Sequence, residues 1–475
     1  MSAELSSSTY TAISRRTVLA GSGATAAGLF LQSPTIGAAT PEASPAASPA
    51  ASPAAGAQTN PVLASVPQVF KYDAFQFDFL NVLGGTYERA ADIGECFAAA
   101  SQITDGDFQS WFAVWTAWGD RLVGIADASD KAAHHVSARE AYLRAAAYYS
   151  AAQWYGLAVG TGETVAEVFE KGRGAFDNFV SRLDVPGEQV EIPYEGTTLP
   201  GYAFTVDTSG ERRPWLIVNN GSDGTESFVW LAAGAAALRR GYNVLLFDGP
   251  GQGAALFRQK LYFRYDWEKV ITPVVDFLLT RKDVDADRIG ILGSSQGGYW
   301  VPRALAFEMR IGAAVLDPGV FDVSTSWTSE VPRDALEGLL HTTGAEQEKI
   351  KAEFDQGVQE EMANNAYATY TITSRMFPFG TTSFSETLIL LSDYNLNGVI
   401  DKITTPLIIA APEGESFWPG QSQEVYDKAP ATLDKTLAPF TVAEGADLHC
   451  EVKANGLRAQ VFFDWLDTAL GITQG

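Results

Sequence analysis

Ser295 lies in Gly293-Ser294-Ser295-Gln296-Gly297, a serine with glycine two residues to either side. A serine hydroxyl is a poor nucleophile at neutral pH until a base within hydrogen-bond reach takes its proton. The flanks give the pattern its meaning. Arg288-Ile289-Gly290-Ile291-Leu292 is a short apolar run that predicts a buried strand. Gly298-Tyr299-Trp300-Val301 opens an amphipathic stretch through Ala304, Leu305 and Phe307 that predicts a helix. A serine on so tight a strand-to-helix turn is lifted clear of the backbone at the head of the helix, the arrangement known as the nucleophile elbow.

The base must come from four histidines, His134, His135, His341 and His449. The first two fall in a helical region and His341 in an insertion. His449 follows the last expected strand in Gly445-Ala446-Asp447-Leu448-His449, and it completes the chain order serine, acid, histidine. The acid candidates follow an expected strand, Leu407-Ile408-Ile409-Ala410. Counting back from Pro419, which in many such sheets closes the acid loop, places Glu415 at the acid position. Glu413 and Asp317 stand as alternatives, since any of the three carboxylates could hold the imidazole tautomer. Two backbone N–H groups should receive an oxyanion: that of Gln296, at the helix head, and that of Ser222 in Asn219-Asn220-Gly221-Ser222-Asp223-Gly224. Asp248-Gly249-Pro250-Gly251-Gln252-Gly253 lacks the lysine of a phosphate loop and predicts a structural turn bordering the pocket. No cofactor and no metal are expected.

These groups need a frame. After Pro186 expected strands and helices alternate: a strand pair at residues 189–194 and 199–206, strands at 215–218 and 244–247, and helices at 228–240 and 267–281. The elbow, a strand at 313–316, another at 407–410, a last strand at Phe440-Thr441-Val442 and a helix over 457–470 complete the series. Such alternation builds a mostly parallel sheet with helices on both faces, and functional groups gather at the carboxyl ends of its strands. Residues 322–402 interrupt the alternation with helical, acidic and aromatic sequence, which predicts a lid insertion. Ahead of the sheet, residues 63–185 read as an all-helical cap of about five helices. Phe108, Trp111, Phe112, Trp115 and Trp118 recur at helical spacing, as do Tyr142, Ala145, Ala146, Tyr149 and Ala152. Such a stripe is packing core or the wall of an apolar pocket.

The first residues carry a different signal. Ser14-Arg15-Arg16-Thr17-Val18-Leu19 and the Gly/Ala-rich run to Leu31 match a twin-arginine export peptide over residues 1–39, with Ile36-Gly37-Ala38 as the cleavage tripeptide. Residues 40–62 are a Pro/Ala/Ser-rich linker, a semi-stiff spacer. The expected location is therefore beyond the cytoplasmic membrane, reached through the twin-arginine machinery and without stable membrane insertion after cleavage. A net charge of -24 over 475 residues argues against nucleic acid and anionic membrane partners. Cys96 and Cys450 could form one bridge or remain free buried thiols.

The segment from about Pro186 to the C-terminus resembles the α/β-hydrolase superfamily. The helical front, the Asn-Gly-Ser-Asp-Gly loop, Asp-Gly-Pro-Gly-Gln-Gly and Phe417-Trp418-Pro419-Gly420-Gln421 resemble the branch that includes 2,6-dihydroxypseudooxynicotine hydrolase and the fungal polyketide-shortening pigment hydrolases. That resemblance implies carbon–carbon bond hydrolysis of ketone-bearing aromatic substrates, with the helical front closing the site. The chain departs from it in a Glu at the acid position, where Asp is commoner, and in the export signal. The expected function is a serine hydrolase acting through an acyl-enzyme on a small ester or ketone, with a homodimer among the expected partners; a short-peptide peptidase and a non-catalytic binding protein on the same fold are the alternatives.

Overall fold

Among the described residues eight short strands pair into one sheet in the order β1-β2-β4-β3-β5-β6-β7-β8. The computed structural model describes residues 66–329 and 331–473. The expected export peptide and linker lie outside the described residues. β1 (Gly187–Tyr194) and β2 (Thr197–Phe204) form an antiparallel hairpin, and β2 pairs antiparallel with β4 (Asn243–Phe247). From β4 onward every pairing is parallel, through β3 (Arg213–Asn219), β5 (Val284–Ser294), β6 (Ala313–Asp317), β7 (Leu407–Pro412) and β8 (Lys435–Phe440). The central strands are buried on both faces, so they read as continuous apolar runs, as at Trp215-Leu216-Ile217-Val218.

Among the described residues six α-helices precede the sheet: α1 (Asp73–Gly84), α2 (Ile93–Ala100), α3 (Phe108–Lys131), α4 (His135–Gln153), the short α5 (Gly156–Val159) and α6 (Gly162–Val180). Asp92 and Asp107 cap α2 and α3 by accepting from backbone N–H groups. The aromatic stripe is chiefly core: Trp111 and Trp115 are fully buried, and Phe108 stacks on Tyr155 at 5.1 Å. Between the strands run α7 (Glu226–Val229) and α8 (Ala235–Arg239), joined by a π-turn at Trp230–Gly234, then α9 (Gly253–Phe257), α10 (Glu268–Leu279) and α11 (Gly297–Leu305). Five helices separate β6 from β7: α12 (Thr325–Thr328), α13 (Arg333–His341), α14 (Ala345–Asn364), α15 (Ala366–Met376) and α16 (Phe384–Leu391). α17 (Gln421–Lys428) and α18 (Asn455–Ala469) complete the fold. Among the described residues no helix is long and apolar enough to cross a membrane.

The last strand departs from the sequence expectation. β8 stops at Phe440, and Thr441 instead caps a 3-10 turn over Val442–Glu444, exchanging hydrogen bonds with Glu444. A capping box needs a Thr and a Glu three residues apart, and here that local chemistry outweighs the β-propensity of Thr441 and Val442.

Arg173 ties the helical front to the sheet. It sits on α6 at 3% exposure, pairs with Glu226, donates to Asp248 Oδ2 at 2.9 Å, and lies 4.5 Å over the Tyr202 ring. Removing one member of a buried ion cluster strands the others in a poorly solvating interior. Arg173→Met should therefore lower unfolding stability by about 3–5 kcal/mol. Denaturant melts read this, and a loss under about 1 kcal/mol would show that the cluster does not hold the two parts together.

Candidate active site

Ser295 stands between the end of β5 and the start of α11 with φ of 55°, a left-handed conformation rare for a residue with a side chain. Its N–H donates to Asp317 O at 2.6 Å, tying the turn to the end of β6. Gly293 permits the turn, because a Cβ there would lie 2.3 Å from Gly297 O. His449 Nε2 is 2.9 Å from Ser295 Oγ, and His449 Nδ1 is 2.7 Å from Glu415 Oε2. A carboxylate only accepts, so Nδ1 carries the hydrogen and Nε2 is left to accept from the serine hydroxyl. Glu415 Oε1 accepts from the N–H groups of Phe417 and Trp418, at 2.8 and 3.1 Å, which fixes its carboxylate plane.

Burial alone would raise the Glu415 pKa, but the His449 charge and hydrogen bond, with the two loop N–H groups, bring it below the ordinary carboxylate value. Burial would lower that of His449, and the Glu415 charge and hydrogen bond, aided by Asp317 and Asp223, raise it. Phe417 packs on the imidazole at 4.5 Å and Trp418 at 5.9 Å.

The other acid candidates are engaged elsewhere. Glu413 accepts from Val442 N–H at 2.9 Å. Asp317 is 1% exposed, lies behind the turn, and makes no hydrogen bond to His449 among the described residues. His135 pairs with Asp130 and His341 with Glu337, both at the surface, and His134 is also exposed. Cys96 and Cys450 are free and buried.

Gly221 lies so close to Ser295 that a Cβ on it would sit 2.7 Å from Ser295 Cβ. Its own N–H donates to Asn220 Oδ1 at 2.8 Å, so it faces away from any oxyanion. The N–H groups of Ser222 and Gln296 have no partner among the described residues. Gln252, which the sequence placed only in a bordering turn, braces this loop: its Nε2 donates to Asn220 O at 3.0 Å and Gly221 O at 2.9 Å.

The helical front reaches the site through α1. Phe77 meets Phe417 at 6.0 Å, and beside it Asp78 accepts from Tyr155 O–H at 2.6 Å. Tyr370 of α15 packs on Tyr155 at 5.1 Å, so front and insertion meet above the sheet. Burial lifts the Asp78 carboxyl to about 7. Asp223 has an accessible side chain, yet burial raises its pKa as well. Two open clefts, one beside Tyr194 and Tyr262 and one beside Glu188 and Arg281, include neither Ser295 nor His449.

A family model described as "Alpha/beta hydrolase family" matches residues 200–450. The chain is 30% identical over 433 residues to Hydrolase acrC of Aspergillus aculeatus, covering 86% of this chain and 100% of that one. It is 29% identical over 418 residues to 20-hydroxy-prefusarin hydrolase FUS2 of Gibberella moniliformis, covering 85% and 98%. Among solved structures, 2,6-dihydroxy-pseudo-oxynicotine hydrolase superposes with a TM-score of 0.62 at 21% identity, over 82% of this chain and 95% of that one. The chain belongs to the α/β-hydrolase family. It is a hydrolase, similar to the branch that the helical front and loop motifs resemble.

The opposite pKa shifts set a stability window. The contribution of a lowered Glu415 is present above its ordinary value of 4.5 and lost as pH falls through the folded value. That of a raised His449 is present below 6.5 and lost as pH rises through the folded value. The stability difference between the wild type and Glu415→Gln should therefore be largest between about pH 4.5 and 6.5 and shrink on both sides. Urea melts across pH test this; a difference that keeps growing above pH 8 would contradict it.

Proposed function

We propose that this chain is a serine hydrolase that works through an acyl-enzyme. The observation that carries the reading is the unbroken line Glu415 Oε2, His449 Nδ1, His449 Nε2, Ser295 Oγ, which ends at a half-buried serine. In this mechanism Ser295 Oγ attacks a carbonyl carbon while His449 Nε2 takes its proton. Glu415 stabilises the imidazolium, and the N–H groups of Gln296 and Ser222 receive the oxyanion. His449 then gives the proton to the leaving group, and water clears the acyl-enzyme by the same steps.

The substrate is a small ester or a ketone cleaved at a C–C bond, with an aromatic or apolar body. Support comes from the aromatic side chains Phe77, Phe417 and Trp418 around His449, and from relatives that include a prefusarin hydrolase. The N-terminal arginine pair supports export across the cytoplasmic membrane as part of the same reading.

Ser295→Ala should abolish the burst and turnover of p-nitrophenyl esters, a loss of at least about 10⁴-fold in kcat, while the thermal midpoint stays near that of the wild type. Retained turnover in that variant would end the proposal. Parallel assays of p-nitrophenyl esters and aromatic β-diketones assign the bond type; turnover of esters alone would retire C–C cleavage.

A further inference from the structure

Directly behind the serine and histidine, two carboxyl groups meet where no solvent reaches. Asp317, at the end of β6, is 1% exposed, and Glu451, two residues after His449, is 0% exposed. The two carboxyls lie close enough for the charge of Asp317 to act on Glu451. Among the described residues none of their four oxygens has a conventional donor. Arg458 of α18 approaches Asp317 Oδ2 only to 3.9 Å, because its N–H groups donate to Cys450 O at 2.6 Å and Ala232 O at 3.0 Å. Two carboxylates only accept, so a hydrogen bond between them requires a proton.

The same pair sits at the anchor of the histidine loop. Cys450 and Glu451 both have left-handed backbones, with φ of 53° and 45°. Two consecutive non-glycine residues in that region are strained and persist only where contacts impose them. Those contacts converge on Asp317: its carbonyl accepts from Cys450 Sγ–H at 3.2 Å and from Ser295 N–H at 2.6 Å, while its carboxyl lies beside Glu451.

We propose that Asp317 and Glu451 share one proton and act as a positioning pair that sets both the place and the basicity of His449. The charged and titratable groups around them are Glu415 from the loop after β7, Arg458 from α18, and His449 and Cys450 from their own loop. Asp223 of the loop after β3 also acts on His449, and Asp447 is paired with Lys453 at 2.8 Å. With one shared proton the pair carries a single negative charge. Arg458 offsets that charge, leaving Glu415 to balance an imidazolium at the moment it forms. A second negative charge would hold His449 protonated and remove the base. Burial, then the charge of its partner, raises the Glu451 carboxyl well above the ordinary value, and burial raises Asp317, as a shared proton requires.

The catalytic consequence rests on the serine hydrolase reading, but the test does not. The imidazole of His449 is titrated by ¹⁵N NMR in the full chain without substrate, its resonance identified by its absence in His449→Gln. Glu451→Gln replaces the shared proton with a fixed amide donor and leaves one negative charge, so the His449 midpoint should stay where it is in the wild type. Asp317→Asn carries the same expectation and serves if the first variant fails to fold. Asp317→Asn combined with Glu451→Gln removes the charge and should weaken proton binding by His449 about tenfold, one pKa unit. A tenfold fall already in Glu451→Gln would mean that the wild-type pair is doubly ionised, and no change in the double variant would mean that the pair does not act on His449. Either result overturns the inference. Absence of a p-nitrophenol burst in the wild type would instead sink the hydrolase reading and leave the titration result standing.

Discussion

An imidazole can work as a base only if one nitrogen is held by an acceptor and the other is left free to take a proton. His449 meets that condition between Glu415 at 2.7 Å and Ser295 at 2.9 Å. Much of the fold serves those two distances. β5 and α11 present the serine, the loop after β7 presents the acid, and the chain after β8 brings the histidine back across 154 residues. Each side chain comes from the carboxyl end of a strand or the chain just beyond it, where a parallel sheet leaves its loops to converge.

Aromatic packing and buried charge then fix what hydrogen bonds alone would leave loose. Phe417 and Trp418 press on the imidazole while their N–H groups hold Glu415, so one loop both orients that carboxylate and forms the apolar wall of His449. On the far side Asp317 contacts both the elbow and the histidine loop, which links two segments distant in sequence through one residue. The helical front meets this assembly through Phe77, and Arg173 fastens it to the sheet.

Local pattern made the frame legible. The buried parallel strands read as apolar runs because both faces are covered. The elbow was visible because a tight strand-to-helix turn demands glycine at fixed offsets around Ser295. Glu415 could be located by counting from Pro419 because the acid loop is short. The end of β8 was less legible, since Thr441 and Val442 have strand propensity and only the bond to Glu444 turns them away. Gln252, Asp223 and the Asp317–Glu451 pair left no sequence signal. Their partners lie far away along the chain, and nothing in a one-dimensional pattern marks a carboxyl that will be buried against another. The same holds for Arg173, which looks like any polar residue of an amphipathic helix until Glu226 and Asp248 surround it.

The central claim is that Ser295 is a hydroxyl activated by His449. Intact and peptide mass spectrometry after treatment with a fluorophosphonate tests it most directly, because the probe reacts with an activated serine and not with ordinary hydroxyls. One adduct per chain on the peptide containing Ser295, lost in His449→Gln, is the predicted result. A wild-type protein that stays unlabelled, or is labelled equally well without His449, would contradict the account.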